Sequence, residues 1–353
     1  MTARPDAPGT RLLANLTLAE RVLVGPRLRE LLSVVESGLE QVETRLAGEL
    51  RVSDALADAT TRYLYEAGGK RVRPMLTLLT AQLGKGTTDF VVAGATALEM
   101  THLGSLYHDD VMDGADVRRG VPSAHAVWGN SVAILTGDLL FSRASQLMAQ
   151  IGERAIRLQA DTFERLVLGQ MHETVGPQAG DDPVDFYLQV LADKTGSLIA
   201  ASAQAGVLFS DAPEEYRAPA LAYGEKLGIA FQLLDDVIDL SADADETGKV
   251  PGTDLRAGVV TMPYLLLARA NDAGSRELRA TIDEGVARIA DGADPGILDD
   301  AITRLRDHAV TAATRRKAYE WADAAIAALA PLPSGAVRDA LERLAHVVVD
   351  RSS

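Results

Sequence analysis

Cysteine is absent from the 353-residue chain. Its absence excludes disulfide bonds, thiolate metal sites and a cysteine nucleophile. Long apolar runs are also missing: no window offers about 18 uninterrupted apolar residues, so the sequence predicts no transmembrane helix. The opening stretch MTARPDAPGT is polar and lacks the apolar core of a signal peptide. We therefore expect a cytoplasmic protein that meets a membrane only through a surface or through its substrate.

Positive charge is scarce. Lys and Arg number 35 against 50 Asp and Glu, which gives a net charge of −15. Binding to DNA or RNA needs a basic face that neutralises phosphates, so we do not expect nucleic acid as the main partner. A small phosphorylated ligand stays possible, because it needs only a local cluster of cations.

Aromatic residues make up only 5% of the chain, and strand-favouring runs are few, whereas the helix formers Ala, Leu, Arg and Glu are abundant. The sequence therefore predicts an all-α fold. Thr88–Val111 is apolar nearly throughout and indicates a buried helix. With no repeat of solenoid period and no linker, we expect one all-α domain over residues 16–353 and a frayed segment over residues 1–15. Helical spacing also predicts helices at Leu12–Ala47 (broken by Pro26), Ser131–Gln150, Ala155–Val175, Val184–Phe209, Glu214–Leu240, Pro263–Ala270, Ser275–Ala290, Gly296–Leu329 (with room for a break) and Gly335–Val349.

Two acidic motifs of the form DDxxD lie at the carboxyl ends of strongly apolar predicted helices. The first and last carboxylates of each motif are four residues apart, so they share a helix face and repel each other. The helix dipole disfavours them as well. One such motif alone fits a solvated helix end, but two indicate a compensating cation, and oxygen-only ligands favour Mg²⁺ or Mn²⁺ over zinc. The motifs comprise Asp109, Asp110 and Asp113, and Asp235, Asp236 and Asp239.

Cationic side chains are interleaved with the acidic motifs along the chain. Arginine forks suit bidentate contacts to phosphate oxygens, and lysine supplies a point charge. The pattern predicts two anionic ligands, one held through metal bridges and the other held directly. The cations are Lys70, Arg73, Arg118, Arg119 and Lys194.

As a set and in this order, the motifs resemble those of the trans-isoprenyl diphosphate synthases of the polyprenyl synthetase family, from about Leu64 to Leu265. The matching segments are GGKRVRP, EMTHLGSLYHDDVMD, RRGVPSAHAVWGN, TGDLLFSRA, KTGSL, FQLLDDVIDL and GKVPGTDLRAGVVTMPYLL. The resemblance implies a helical bundle around a deep central cavity, usually a homodimer. It also implies Mg²⁺-dependent condensation of isopentenyl diphosphate with an allylic diphosphate, for example toward a quinone side chain.

The resemblance assigns roles position by position. Asp109 and Asp113 would bind Mg²⁺ with support from Asp110, and Asp235 would bind a further Mg²⁺ with Asp236 and Asp239 nearby. The isopentenyl diphosphate would be held by Lys70, Arg73, His102 and Arg119. The allylic diphosphate would be contacted by Arg118, Lys194, Thr195, Gln232 and Lys249; of these, Gln232 and the Thr195 region would also present dipoles to the reacting cation. Many relatives carry Lys where this chain has Val259, which would shift phosphate contact toward Lys249 or reduce the charge there.

The sequence also allows three alternative functions. Glu99 and His102 form a Glu-x-x-His pair of the kind found in di-iron bundles, but no second copy exists in the sequence. A terpene cyclase also uses DDxxD, yet it has no use for a second diphosphate site and lines its pocket with aromatics. A non-catalytic partner subunit of a synthase would have lost the aspartates that this chain keeps.

Product length is predicted from the helix face that precedes Asp109. Small residues recur there and would leave a groove about 22 Å long, which predicts a hepta- to decaprenyl product. The alternatives are that these residues only allow close helix packing, and that the product is farnesyl or geranylgeranyl diphosphate. The residues are Ser105, Thr101, Ala97 and Gly94, with Gly104 alongside.

Overall fold

The computed structural model describes residues 17–23, 25, 28–241 and 250–350, and these are almost entirely helical. This confirms the all-α prediction. The α-helices are α1 (Leu18–Val22), α2 (Arg29–Glu49), α3 (Ala55–Glu66), α4 (Val72–Ala81), α5 (Asp89–Met112), α6 (Ala124–Trp128), α7 (Asn130–Ile151), α8 (Glu153–Val175), α9 (Pro183–Leu191), α10 (Ser197–Phe209), α11 (Arg217–Asp239), α12 (Thr253–Arg256), α13 (Met262–Arg269), α14 (Ala273–Ala290), α15 (Asp299–Asp307), α16 (Ala309–Ala328) and α17 (Ala336–Val349).

The chain divides into two compact units. The first comprises Met1–Phe163, Leu198–Gly224 and Ala328–Val347, and the second comprises Glu164–Ser197, Glu225–Ala327 and Val348–Ser353. The single domain over residues 16–353 stays a prediction. No helix in the described part of the chain is both long enough and apolar enough to cross a membrane.

Helix α5 is the centre of the first unit. It begins after Thr88, whose hydroxyl accepts a hydrogen bond from the Val91 amide at 3.2 Å and caps the helix. Nearly every residue up to Ser105 is buried, because α2, α4 and α7 pack against it. This agrees with the apolar character predicted for Thr88–Val111, and it sets the first acidic motif at the end of a rigid element.

A short β-hairpin follows α5. Strands β1 (Val117–Arg118) and β2 (Val121–Pro122) pair antiparallel. The two residues between them, Arg119 and Gly120, have φ angles of 53° and 79°. Positive φ at both central residues is the requirement of a type I′ turn, which suits the twist of a two-residue hairpin. The hairpin therefore presents Arg118 and Arg119 in a defined conformation.

One predicted helix is interrupted in the second unit. Asp182 caps α9, and Pro183 occupies its first turn. Val184–Phe209 was predicted as one helix, but a π-helical segment, Ala192–Gly196, separates α9 from α10. The predicted Gly296–Leu329 helix is likewise divided, at His308; the prediction allowed a break in this range without placing it. The apolar core of this unit is formed by Leu240, Leu255, Leu267, Leu278, Ile282, Leu298, Ala301, Ile302, Leu305 and Val310.

Candidate active site

The first acidic motif ends α5 with its three carboxylates in different environments. Asp109 is half-buried and Asp113 is exposed, whereas Asp110 is fully buried. Arg118 of the hairpin donates from Nε to Asp110 Oδ1 at 2.6 Å. Burial raises the pKa of Asp110, and Arg118 opposes that shift. Asp110 thus anchors the hairpin to α5, and its supporting role at the metal stays a prediction.

The second acidic motif, at the end of α11, likewise has one buried carboxylate between two that are more exposed. Asp236 is buried, and its two oxygens accept from the Tyr187 hydroxyl at 3.1 and 2.9 Å. The Met262 amide donates to the same carboxylate at 3.0 Å. Burial raises the pKa of Asp236 to about 7, although both hydrogen bonds favour the charged form. Asp236 therefore ties α9 and α13 to α11, and its place near the metal stays a prediction.

The outer carboxylates of the two motifs are the ones suited to a hard cation. Asp235 and Asp239 are half-buried, and Asp239 also accepts from the Asp254 amide at 3.2 Å. Among the described residues, no three His, Asp or Glu side chains are grouped to hold a metal by themselves. Such a donor set fits Mg²⁺, which is usually bound by one or two carboxylates completed by waters and substrate phosphates.

A cationic cluster gathers near the amino end of α4 and the middle of α5. Arg71 donates from Nη1 to Glu99 at 3.2 Å and also binds Glu43. Arg119 donates to the Leu64 carbonyl oxygen at 2.8 Å and to that of Gly68. Both arginines have positive φ, 48° and 53°, a conformation that non-glycine residues rarely adopt and that is concentrated at functional sites. The backbone is thus bent so that two guanidinium groups converge.

Gly69 makes this convergence possible. A Cβ atom at this position would lie 2.6 Å from Arg71 Nη1 and 3.2 Å from Arg119 Nη2. Any side chain would therefore push the two arginines apart. The neighbouring Lys70 is exposed and has interactions of its own.

The electrostatics of the cluster indicate a site prepared for an anion. Burial and the proximity of Arg119 lower the pKa of Arg73 to about 10, against the opposing effect of Glu99. The Nε atom of Arg73 is buried without a hydrogen-bond partner. Burial and the surrounding arginines also lower the pKa of His102 well below its usual value, so His102 is neutral at pH 7. A diphosphate would relieve the repulsion among the arginines and supply the missing acceptor.

Glu99 is the negative counterpart of this cluster. It is 2% exposed and its Oε2 atom has no partner. Glu99 forms an ion pair with Arg71, which accounts for a buried glutamate at this position. A di-iron site is therefore not needed to explain the Glu-x-x-His pair. Sequence reasoning considered Glu99 only as a di-iron ligand and did not single out Arg71, although both stand inside the matching segments.

The residues expected at the allylic diphosphate lie mainly in the second unit. Lys194 is in the π-helical segment, where it binds Glu173, and Thr195 follows it. Gln232 is half-buried on α11. Lys249 lies outside the described residues. Val259 is 44% exposed, so apolar packing does not account for this valine.

Aromatic side chains occupy the space beside two of the small residues that precede Asp109. A Cβ atom on Gly104 would lie 3.1 Å from the Phe141 ring and 3.2 Å from the Gly137 carbonyl oxygen. Gly94 is similarly covered by Phe209. These two glycines therefore allow close helix packing, which was the alternative explanation, whereas Ser105 is not part of these contacts.

Comparisons with known proteins agree with this geometry. The polyprenyl synthetase family model matches residues 54–292. A nonaprenyl diphosphate synthase from Mycobacterium tuberculosis is 43% identical over 90% of this chain and 94% of its own length. A polyprenyl synthase from Caulobacter crescentus, solved with calcium and isoprenyl diphosphate, superposes with a TM-score of 0.83 at 30% identity, over 95% of this chain and 98% of that one. A geranylgeranyl pyrophosphate synthase from Corynebacterium glutamicum gives a TM-score of 0.78 at 37% identity, over 91% and 96% of the two chains. The chain belongs to the polyprenyl synthetase family.

Proposed function

We propose that this protein is a prenyltransferase that condenses isopentenyl diphosphate with an allylic diphosphate to give a long-chain, all-trans polyprenyl diphosphate. The observation that carries the proposal is the cationic cluster of the first unit, with half-buried arginines around a neutral histidine. A terpene cyclase has no use for such a site. The outer aspartates present in both motifs argue against a non-catalytic partner subunit.

The isopentenyl diphosphate would bind to the cluster of Lys70, Arg73, His102 and Arg119. Arg119 is held by the Leu64 and Gly68 carbonyls, and Arg71 is held by Glu99, so little ordering of these side chains is needed when the ligand binds. Neutral His102 can donate a hydrogen bond without adding a further positive charge.

The family uses a divalent metal, and we propose Mg²⁺ for this chain. Asp109 and Asp113 would hold one Mg²⁺ in the first unit, and Asp235, with Asp239 nearby, would hold a further Mg²⁺ in the second, each together with diphosphate oxygens. When bound, the metal neutralises the charge of the diphosphate leaving group as a Lewis acid.

The reaction breaks the C–O bond between the allylic carbon and its diphosphate. The double bond of isopentenyl diphosphate then attacks the allylic cation to form a new C–C bond, and a proton is lost to the released diphosphate. Lys194 would stabilise the negative charge on that diphosphate, while the Thr195 and Gln232 dipoles would face the cation. No side-chain nucleophile is needed, in keeping with the absence of cysteine.

The product is a long-chain polyprenyl diphosphate. The 43% identity to a nonaprenyl diphosphate synthase over nearly the whole chain supports this length, as do the small residues Gly104 and Ser105, which stand five and four positions before Asp109. Phe209 and Phe141, which cover Gly94 and Gly104, favour the second candidate, a geranylgeranyl-length product. The product would serve as a quinone side chain.

We also propose a homodimer. Helix α8 carries four exposed apolar residues in the second unit, and three of them are spaced by four so that they share one face. An exposed apolar face of this kind is typical of an interface with another copy of the chain. The residues are Val167, Leu168, Met171 and Val175.

The test is an extension assay with labelled isopentenyl diphosphate, an allylic primer and Mg²⁺, with the products sized by chromatography. Long-chain products support the proposal, and a cyclic hydrocarbon or no turnover contradicts it. Arg73→Ala and Arg119→Ala should raise the KM for isopentenyl diphosphate about ten-fold or more, because a charge-assisted hydrogen bond contributes about 1.5–3 kcal/mol. Equal weakening of both substrates in both variants would contradict the division between the two diphosphate sites.

A further inference from the structure

The π-helical segment that carries Lys194 and Thr195 is tightly enclosed within the second unit. A Cβ atom on Gly169 of α8 would lie 2.6 Å from the Lys194 amide nitrogen. A Cβ atom on Gly228 of α11 would lie 2.6 Å from Gly196 Cα. Both glycines are needed for this approach, so the segment lies directly against two helix backbones.

A π-helical turn is rare and costs hydrogen-bond geometry, so it depends on contacts from outside its own backbone. Arg165 supplies such contacts here. Its Nε and Nη2 atoms lie 2.9 and 2.8 Å from Asp193 Oδ1, and Nη2 is also 2.8 Å from Glu225 Oε2. One guanidinium group thus joins the π segment to α11.

The second carboxylate oxygen of Asp193 and its backbone carbonyl oxygen also accept hydrogen bonds. Gln189 donates from Nε2 to Asp193 Oδ2 at 2.7 Å, and the Ser197 hydroxyl donates to the Asp193 carbonyl oxygen at 2.5 Å. The Asp193 side chain is only 14% exposed. The Asp193 side chain is thus held from several sides, although the Gln189 side chain that donates to it is exposed.

We propose that Arg165 is a positioning residue that fixes the conformation of the π segment, Ala192–Gly196, and thereby orients Lys194 and Thr195 toward the allylic diphosphate. The inference rests on the proposed function for its ligand. Arg165 itself acts through Asp193 and touches no substrate. Lysine cannot replace it fully, because a single ammonium group cannot reproduce the planar fork that contacts two carboxylates.

The kinetic test compares Arg165→Gln, Arg165→Lys and a control, Arg157→Gln. Arg157 lies two turns earlier on α8 and pairs with Glu153 in an exposed i,i+4 ion pair. We expect Arg165→Gln to lower kcat/KM for the allylic substrate about ten-fold or more, with the KM for isopentenyl diphosphate changed less than two-fold. Arg165→Lys should recover part of the loss, and Arg157→Gln should match the wild type. A change in Arg165→Gln no larger than in the control would overturn the inference.

A second measurement separates positioning from general destabilisation. Hydrogen exchange of the amides in residues 192–197 should be about ten-fold faster in Arg165→Gln, while exchange in α14 stays at the wild-type rate. Unchanged exchange in the π segment, or equal acceleration in α14, would overturn the inference. If the wild-type protein shows no condensation, the proposed function fails, and the exchange result still decides whether Arg165 holds the segment.

Discussion

Replacing Glu99 by Gln should expose how the cationic cluster is stabilised. The substitution keeps the size of a 2% exposed side chain and removes its charge, so Arg71 loses a charge-assisted partner at 3.2 Å. A hydrogen bond to a charged group contributes about 1.5–3 kcal/mol. Arg71 retains Glu43, so the loss should fall in this range and below the 3–5 kcal/mol expected for a fully uncompensated buried charge.

Ligand linkage sharpens this prediction. Without Glu99 the repulsion among Arg71, Arg73 and Arg119 is less compensated, so an anion that binds them should stabilise the variant more than the wild type. We expect inorganic diphosphate to raise the Tm of Glu99→Gln more than that of the wild-type protein. Urea unfolding followed by circular dichroism gives the loss of stability, and a thermal-shift titration gives the effect of diphosphate.

The matched control is Glu43→Gln, which removes the more exposed of the two Arg71 partners. Its side chain is 36% exposed, and surface ion pairs contribute about 0–1 kcal/mol. The reasoning would be refuted if both variants lost the same stability, or if diphosphate stabilised Glu99→Gln no more than the wild type.

Three further predictions concern the metal, pH and product length. Asp109→Ala should lower kcat by orders of magnitude at saturating Mg²⁺ with the helix content unchanged, and near-normal turnover would contradict its role. His102 has a pKa well below the unfolded value of about 6.5, so the unfolded state binds the proton first and the free energy of unfolding should fall as pH drops below about 6.5. Urea unfolding from pH 7 to 5 should show this decrease, and His102→Asn should make it smaller. Ser105→Phe should shorten the products sized by chromatography, whereas Gly104→Phe should mainly lower stability because Phe141 occupies that space; wild-type products no longer than geranylgeranyl would contradict the long-chain assignment.

Local patterns carried much of the prediction. The apolar run before Asp109 specifies a buried helix because its periodicity depends only on near neighbours, and α5 confirms it. The two acidic motifs could be located for the same reason, since residues four apart share a helix face in any α-helix. The cations at Arg73, Arg119 and Lys194 were found from their order along the chain.

Only the tertiary structure shows which carboxylate of each motif is buried. All three aspartates of a motif look alike in sequence, yet Asp110 and Asp236 are buried against Arg118 and Tyr187, partners 8 and 49 residues away. Burial and pairing over such separations depend on how elements pack, which no local spacing encodes.

The remaining differences have the same physical origin. The π segment around Lys194 depends on Arg165 and on glycines of two other helices, and the crowding at Gly104 depends on Phe141 of α7. Considered alone, the helix that contains Lys194 would be a regular α-helix, and α5 would have open space beside Gly104. Helical propensity and the spacing of charged residues are therefore determined by the chain locally, whereas the conformation and accessibility of the side chains are determined by packing between elements distant in sequence.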